Sequence, residues 1–221
     1  MSEPKARASA PERNGGGKPA EACARCLRDR PASLVVFDLE FTSWEGSLAR
    51  NWSGDGEWRE VVQIGAVRLD PAVGFAETGA FEVVARPRRN PRLSDYFIAL
   101  TGLTQRRVDE EGRDFATAFA AFLAFAGPDD TLVSNGNDAE ILAQNCDWAG
   151  IEFAAAHRFV DIRPKVSAIL GGDDFATCEL PARLGLETGL AAHDALGDAR
   201  AAARVLIHFQ SQGKLDLSEL V

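Results

Sequence analysis

The chain is 221 residues long, 46% apolar and 26% charged, with a net charge of −9. That is the composition of an ordinary globular protein, and the length suits one α/β domain with a substantial core, or one domain and a tail. The longest apolar run, residues 116–126 with Thr117 inside it, is too short to cross a bilayer, so no membrane partner and a cytoplasmic location are expected.

Residues 1–30 differ from the rest. Gly, Pro, Ala and charge dominate, Gly15-Gly16-Gly17 sits in the middle, and no apolar stretch could serve as a signal-peptide core. The segment reads as a disordered arm, followed by a domain over residues 31–221. Its seven basic and four acidic residues sum to +3, which leaves −12 for the domain. Cys23-Ala-Arg-Cys26 in the arm has no second CxxC or close His pair to complete a zinc site. Cys146 and Cys178 stand alone, so reduced thiols are expected.

Leu34-Val35-Val36-Phe37 predicts a buried strand running into Asp38. Strands over 61–69 and 81–85 follow, separated by Asp70-Pro71 and Gly74, so the domain opens as a meander. Ser94 and Thr104 cap two short predicted helices, 94–100 and 104–111, broken at Gly102. Phe115, Phe119, Phe122 and Ala126 keep helical spacing over 114–126 and read as core. A fourth strand (131–135), a helix (138–148), a weak fifth strand (159–162), a short helix (180–184) and a long one (194–210) complete the order. Meander first and alternating strands and helices afterwards predict an α/β fold, a mixed sheet with helices on its faces.

Three patches carry the chemistry. Asp38 and Glu40 are two apart on a strand, so both point to one face and can reach one metal cluster. Asp138 follows Asn135-Gly136-Asn137 at a strand-to-helix junction, where α/β sheets place functional groups and where an N-cap would also sit. In His193-Asp194-Ala195-Leu196-Gly197-Asp198, Asp194 is a plausible N-cap. His193 then falls in the preceding loop, and Asp198 can face the sheet past Ala195 and Gly197. Four carboxylates brought together would repel each other unless divalent cations held them. The set therefore predicts a metal-dependent enzyme acting on a phosphorylated substrate, a nucleic-acid end in particular. Arg86, Arg88, Arg89 and Arg92, with no acid among them, offer a local basic footprint for a short strand or form a solvated loop.

Asp38-x-Glu40, Asp138 and His193-x-Ala-x-x-Asp198 resemble, in order and spacing, the three motifs of the DEDDh 3′–5′ exonucleases, over about residues 33–210. Phe37-Asp-Leu-Glu-Phe-Thr42, Glu60-Val-Val-Gln-Ile-Gly65 and Leu100-Thr-Gly-Leu-Thr104 are similar to the branch that holds the KapD-like proteins and the histone-mRNA exonucleases. The resemblance implies an RNase H-like fold with a mixed five-stranded sheet. It implies two Mg²⁺ or Mn²⁺ ions on Asp38, Glu40, Asp138 and Asp198, His193 as general base, and Phe41, Thr42 and Leu100 at the terminal nucleotide. The implied partners are 3′ ends of single-stranded RNA or DNA, with 5′-mononucleotides released. Rival readings are a phosphodiesterase on very short oligonucleotides, a proofreading subunit and a catalytically silent nucleic-acid-binding protein. The 43–59 loop carries Trp44, Trp52 and Trp58, three of the four tryptophans. They could stack on bases, fold the loop onto the domain, or form a homodimer contact.

Overall fold

Eight residues with no Gly or Pro, LVVFDLEF, form the central strand β1 (Leu34–Phe41). In the computed structural model, which describes residues 32–221 except 155, 173, 174, 187, 188, 190 and 191, it lies in the middle of a five-stranded sheet. The arm and its cysteine pair lie outside the described residues. Strands β2 (Val61–Asp70) and β3 (Ala76–Val84) continue β1 as an antiparallel meander, while β4 (Thr131–Ser134) and β5 (Arg158–Asp161) add in parallel, for an order β3-β2-β1-β4-β5. The mixed sheet expected from the element order is the one found.

Seven helices are described: α1 (Asp95–Thr101), α2 (Gln105–Glu111), α3 (Phe115–Ala126), α4 (Asp138–Ala149), α5 (Arg163–Leu170), α6 (Leu180–Arg183) and α7 (Ala195–Ser211). The side chains of Ser94, Thr104, Asp114 and Asp194 accept the N-terminal N–H groups of α1, α2, α3 and α7, as capping residues do. Because side chains alternate along β1, Leu34 and Val36 meet α7 through Leu206 and Phe209 on one face. Val35, Phe37 and Leu39 meet Phe119 and Phe122 of α3 and Ile141 and Leu142 of α4 on the other. The aromatics of α3 are core, as their spacing predicts.

Two details of this packing place the site. Parallel pairing of β1 with β4 runs from Leu34–Thr131 to Val36–Val133, yet β1 continues to Phe41. Its last residues thus project beyond β4, whose chain turns at Gly136 into α4 and opens a crevice at the carboxyl end of the parallel strands. On the other side, Gly65 of β2 is the register partner of Asp38. A Cβ on Gly65 would lie 2.1 Å from the Leu196 nitrogen and 2.2 Å from the Ala195 carbonyl carbon. The N-terminus of α7 therefore rests on the bare β2 backbone, directly beside the strand that carries the acids.

Candidate active site

Asp38 and Glu40 project from β1 on the face covered by α7. Asp198, 5% exposed, enters from the first turn of α7, and Asp138, 9% exposed, is the first residue of α4. The N-cap of α4 is Asn137 and not Asp138, which frees the Asp138 carboxylate from the capping role its position also suits. The chain order of the three patches thus becomes a spatial cluster. Burial, then the charges of Asp138, Glu40 and Asp198, hold the Asp38 carboxyl well above its ordinary range. Glu40 is pushed up to about 8 by burial and by Asp198, Asp194 and Asp138. Asp138 and Asp198 both rise to about 6, burial again being the main cause. Arg163 and the Ser134 hydroxyl temper the rise at Asp138, and the His193 N–H tempers it at Asp198.

His193 sits in the loop before α7 with φ +58°, in the left-handed region that non-glycine residues rarely adopt. Its backbone N–H donates to Asp198 Oδ2 at 3.1 Å, so the strained turn is anchored to the carboxylate. Ligand atoms of Glu40, His193 and Asp198 lie within 4.8 Å of one another. Asp194 accepts from Gly197 N at 2.9 Å, and Gln63 of β2 bridges it, donating to Asp194 Oδ1 at 3.0 Å and accepting from Ala195 N at 3.1 Å. Gln63 is the register partner of Glu40. The clamp therefore ties the helix that brings Asp198 and His193 to the strand pair that brings Glu40.

Asp38, Glu40 and Asp198 form the floor of a cleft of about 430 Å³, and Asp138 lies buried near enough for its charge to act on Asp38 and Glu40. Phe41, Trp44, Trp52, Tyr96 and Leu100 stand in its walls, and His193 lines it. Phe41 and Leu100, which the resemblance puts at the terminal nucleotide, both line this cleft. Thr42 is placed differently: it is 2% exposed, donates to the Trp58 carbonyl, accepts from Glu60 N at 3.0 Å and does not line the cleft. Its hydroxyl is committed to holding the loop, and its carbonyl accepts the Trp52 indole N–H at 3.0 Å. Trp52 also packs on Phe41, ring centroids 5.3 Å apart, and Trp58 packs edge-on against Trp148 at 5.4 Å. The tryptophan loop is folded onto its own domain, with Trp44 and Trp52 turned to the cleft.

Thr177 has no counterpart in the sequence reading. It lines the cleft, and its hydroxyl hydrogen bond to Asp38 lowers that acid against the other influences on it. Arg163, which faces Asp138, and the Gln63 clamp were likewise not singled out.

The family model for exonucleases (RNase_T) matches residues 35–206. The chain belongs to this exonuclease family. Within it, the chain is 32% identical over 125 residues to the probable 3′–5′ exonuclease KapD of Bacillus subtilis, a match covering 55% of this chain and 56% of that protein. It is 31% identical over 77 residues to ERI1 exoribonuclease 2 of Xenopus laevis, 35% of this chain and 10% of the relative. The chain thus spans about half the length of one curated relative and a tenth of the other. The fold of the exonuclease domain is that of the nuclease domain of 3′hExo, a DEDDh family member solved bound to rAMP. The TM-score is 0.69 at 20% identity, over 83% of this chain and 94% of that one. The RNase H-like architecture expected from the motifs is therefore the one present. Among the described residues no helix is long and apolar enough to cross a membrane.

Proposed function

We propose that this chain is a metal-dependent 3′–5′ exonuclease that shortens single-stranded RNA or DNA from the 3′ end and releases 5′-mononucleotides. The observation that carries the reading is the convergence of Asp38, Glu40, Asp198 and His193 in one cleft, with Asp138 close enough for its charge to act on Asp38, in a chain of the exonuclease family. Relatives named as a 3′–5′ exonuclease and as an exoribonuclease support the polarity and make RNA the first substrate to test.

The donor set fits divalent cations. Carboxylates that burial and mutual repulsion push toward protonation are stabilised in their ionised form by nearby positive charge, and oxygen donors favour Mg²⁺ or Mn²⁺. Asp38, Glu40, Asp138 and Asp198 would hold two such ions, which supply Lewis acidity for an in-line displacement at phosphorus. His193 takes the proton of the attacking water, a role suited to imidazole near neutral pH. Its anchoring to Asp198 keeps the base and an acid of the site in one turn of chain. Phe41 and Leu100 form apolar walls for the terminal nucleotide, and Thr42 supports Trp52 from behind the strand end.

Digestion of 5′-labelled RNA and DNA ladders with Mg²⁺, Mn²⁺ or chelator tests this. Stepwise shortening that needs metal is expected; internal cuts, or shortening in chelator, would overturn it. A phosphodiesterase on very short oligonucleotides is a second reading, favoured by the cleft volume and by the acidic domain. It requires turnover that is highest on di- and trinucleotides and falls with length.

A further inference from the structure

The segment between β3 and α1 has chemistry that the cleft does not use. Arg86, Arg88 and Arg89, all exposed, border a second pocket of about 250 Å³ that has Phe115 and Trp148 among its walls. Arg89 stacks on Trp58 at 4.2 Å and Trp148 at 5.1 Å. Arg86 donates to the Asp109 carbonyl at 2.8 Å. Among the described residues the Arg88 guanidinium makes no hydrogen bond or ion pair, although its charge is felt at Asp114.

The backbone beneath these cations is fixed. Glu60, 6% exposed, accepts the N–H groups of Arg88 at 2.7 Å, Arg89 at 2.8 Å and Asn90 at 2.5 Å. One buried carboxylate thus directs its acceptor capacity at three amides of the loop and fixes the backbone that carries these arginines. Asn90 Nδ2 donates to the Gly56 carbonyl at 2.8 Å, tying the basic loop to the tryptophan loop.

The pocket also adjoins the cleft. Val61 of the pocket is the register partner of Phe41 of the cleft, and the basic loop runs straight into α1, whose Tyr96 and Leu100 form a cleft wall. In a domain of net charge −12, a preformed cluster of guanidinium groups beside the site is where backbone phosphates gain attraction.

We propose that Arg86, Arg88 and Arg89 dock the upstream backbone phosphates of a single nucleic-acid strand whose 3′ end lies in the cleft. The direction of the strand rests on the exonuclease reading; binding at the pocket does not. The test is fluorescence anisotropy of the full chain with labelled single strands of two, four and eight nucleotides, Ca²⁺ replacing Mg²⁺. The parent should bind more tightly as length grows. In the double variant Arg86→Ala/Arg88→Ala the gain should collapse, with a loss of about tenfold at eight nucleotides and under threefold at two. The slope of log affinity against log salt should fall by about 0.7 per phosphate contact removed. Arg88→Glu, at an exposed side chain without a bond to break, should deepen the loss, and Arg88→Lys should recover most of it. Equal losses at all lengths, or no loss at eight, would overturn the proposal. Mononucleotide release in Mg²⁺ separates the two readings. No release by the parent sinks the exonuclease reading while anisotropy still decides the pocket, whereas release with no length effect sinks the pocket alone.

Discussion

The floor of the cleft and its rim are built by different means. On the floor, Asp38, Glu40 and Asp198, with Asp138 buried near them, are held by regular structure: strand alternation, a strand-to-helix junction and the first turn of a helix clamped to β2. The rim, residues 43–59, and the basic loop beside it, residues 86–94, are held by side chains that bond backbone across loops: Thr42 to Glu60, Asn90 to Gly56, Ser94 to Ser43, with Arg50 paired to Glu57. Reactive groups must stay in place to within a fraction of an ångström, which elements provide better than loops. Groups that meet a flexible strand gain from being carried on adaptable segments. Damage to the floor should therefore appear in turnover and damage to the rim in affinity.

Asp198→Ala should break the floor most completely, reducing turnover to background and weakening Mn²⁺ binding in calorimetry. Near-normal turnover would remove Asp198 from the site. His193→Ala should lower kcat by about 10²–10⁴-fold and leave metal affinity intact. A loss of metal affinity would make His193 a ligand instead of the base. Gly65→Ala tests whether the floor depends on helix docking. The added methyl meets backbone, which cannot swing aside, so a cost of about 1–3 kcal/mol in thermal unfolding is expected together with lower turnover. Trp44→Ala tests the rim: KM should rise by the equivalent of about 1–3 kcal/mol if a base stacks there, with kcat held. An effect on kcat alone would erase the distinction between floor and rim.

The smallest effect concerns pH. Glu40 rises from 4.5 to about 8 on folding, and Asp138 and Asp198 from 3.8 to about 6, so the folded chain binds these protons more tightly than the unfolded one. The penalty is absent below about pH 4, grows as pH rises through the folded values, and is complete above about pH 8. In chelator, Glu40→Gln should match the parent's melting temperature near pH 4 and exceed it at pH 8.5. Saturating Mg²⁺ should remove or reverse that advantage. A constant difference across the range would show that folding does not raise the Glu40 carboxyl.

Most of the floor was legible because its signals are local. Asp38-x-Glu40 follows strand period, and His193 and Asp198 bracket an N-cap that Asp194 supplies. The rest depends on tertiary approach. Thr177 reaches Asp38 from a segment without periodicity, and its role follows from where the chain passes. Helix α5 went unread because its apolar face is thin, with Val166 its buried residue, although Pro164 is a common helix start. The first half of β3, AETGA, is an exposed edge that β2 specifies through pairing such as Arg68–Gly79. Thr42 was expected at the nucleotide and does not line the cleft, since spacing along the chain cannot reveal which hydroxyls the next loop will claim.

The early end of parallel pairing at Val36–Val133 has one more effect. Beyond it, β1 has no strand partner on its β4 side among the described residues, so the main-chain groups of the segment that carries Asp38 and Glu40 are outside the ladder on that side. Such groups can grip a sugar or phosphate whatever base it carries, which suits an enzyme that must accept each new terminal nucleotide in turn. They also leave no trace in a scan of side-chain truncations. Backbone ester substitution along 38–41 would be the way to weigh them.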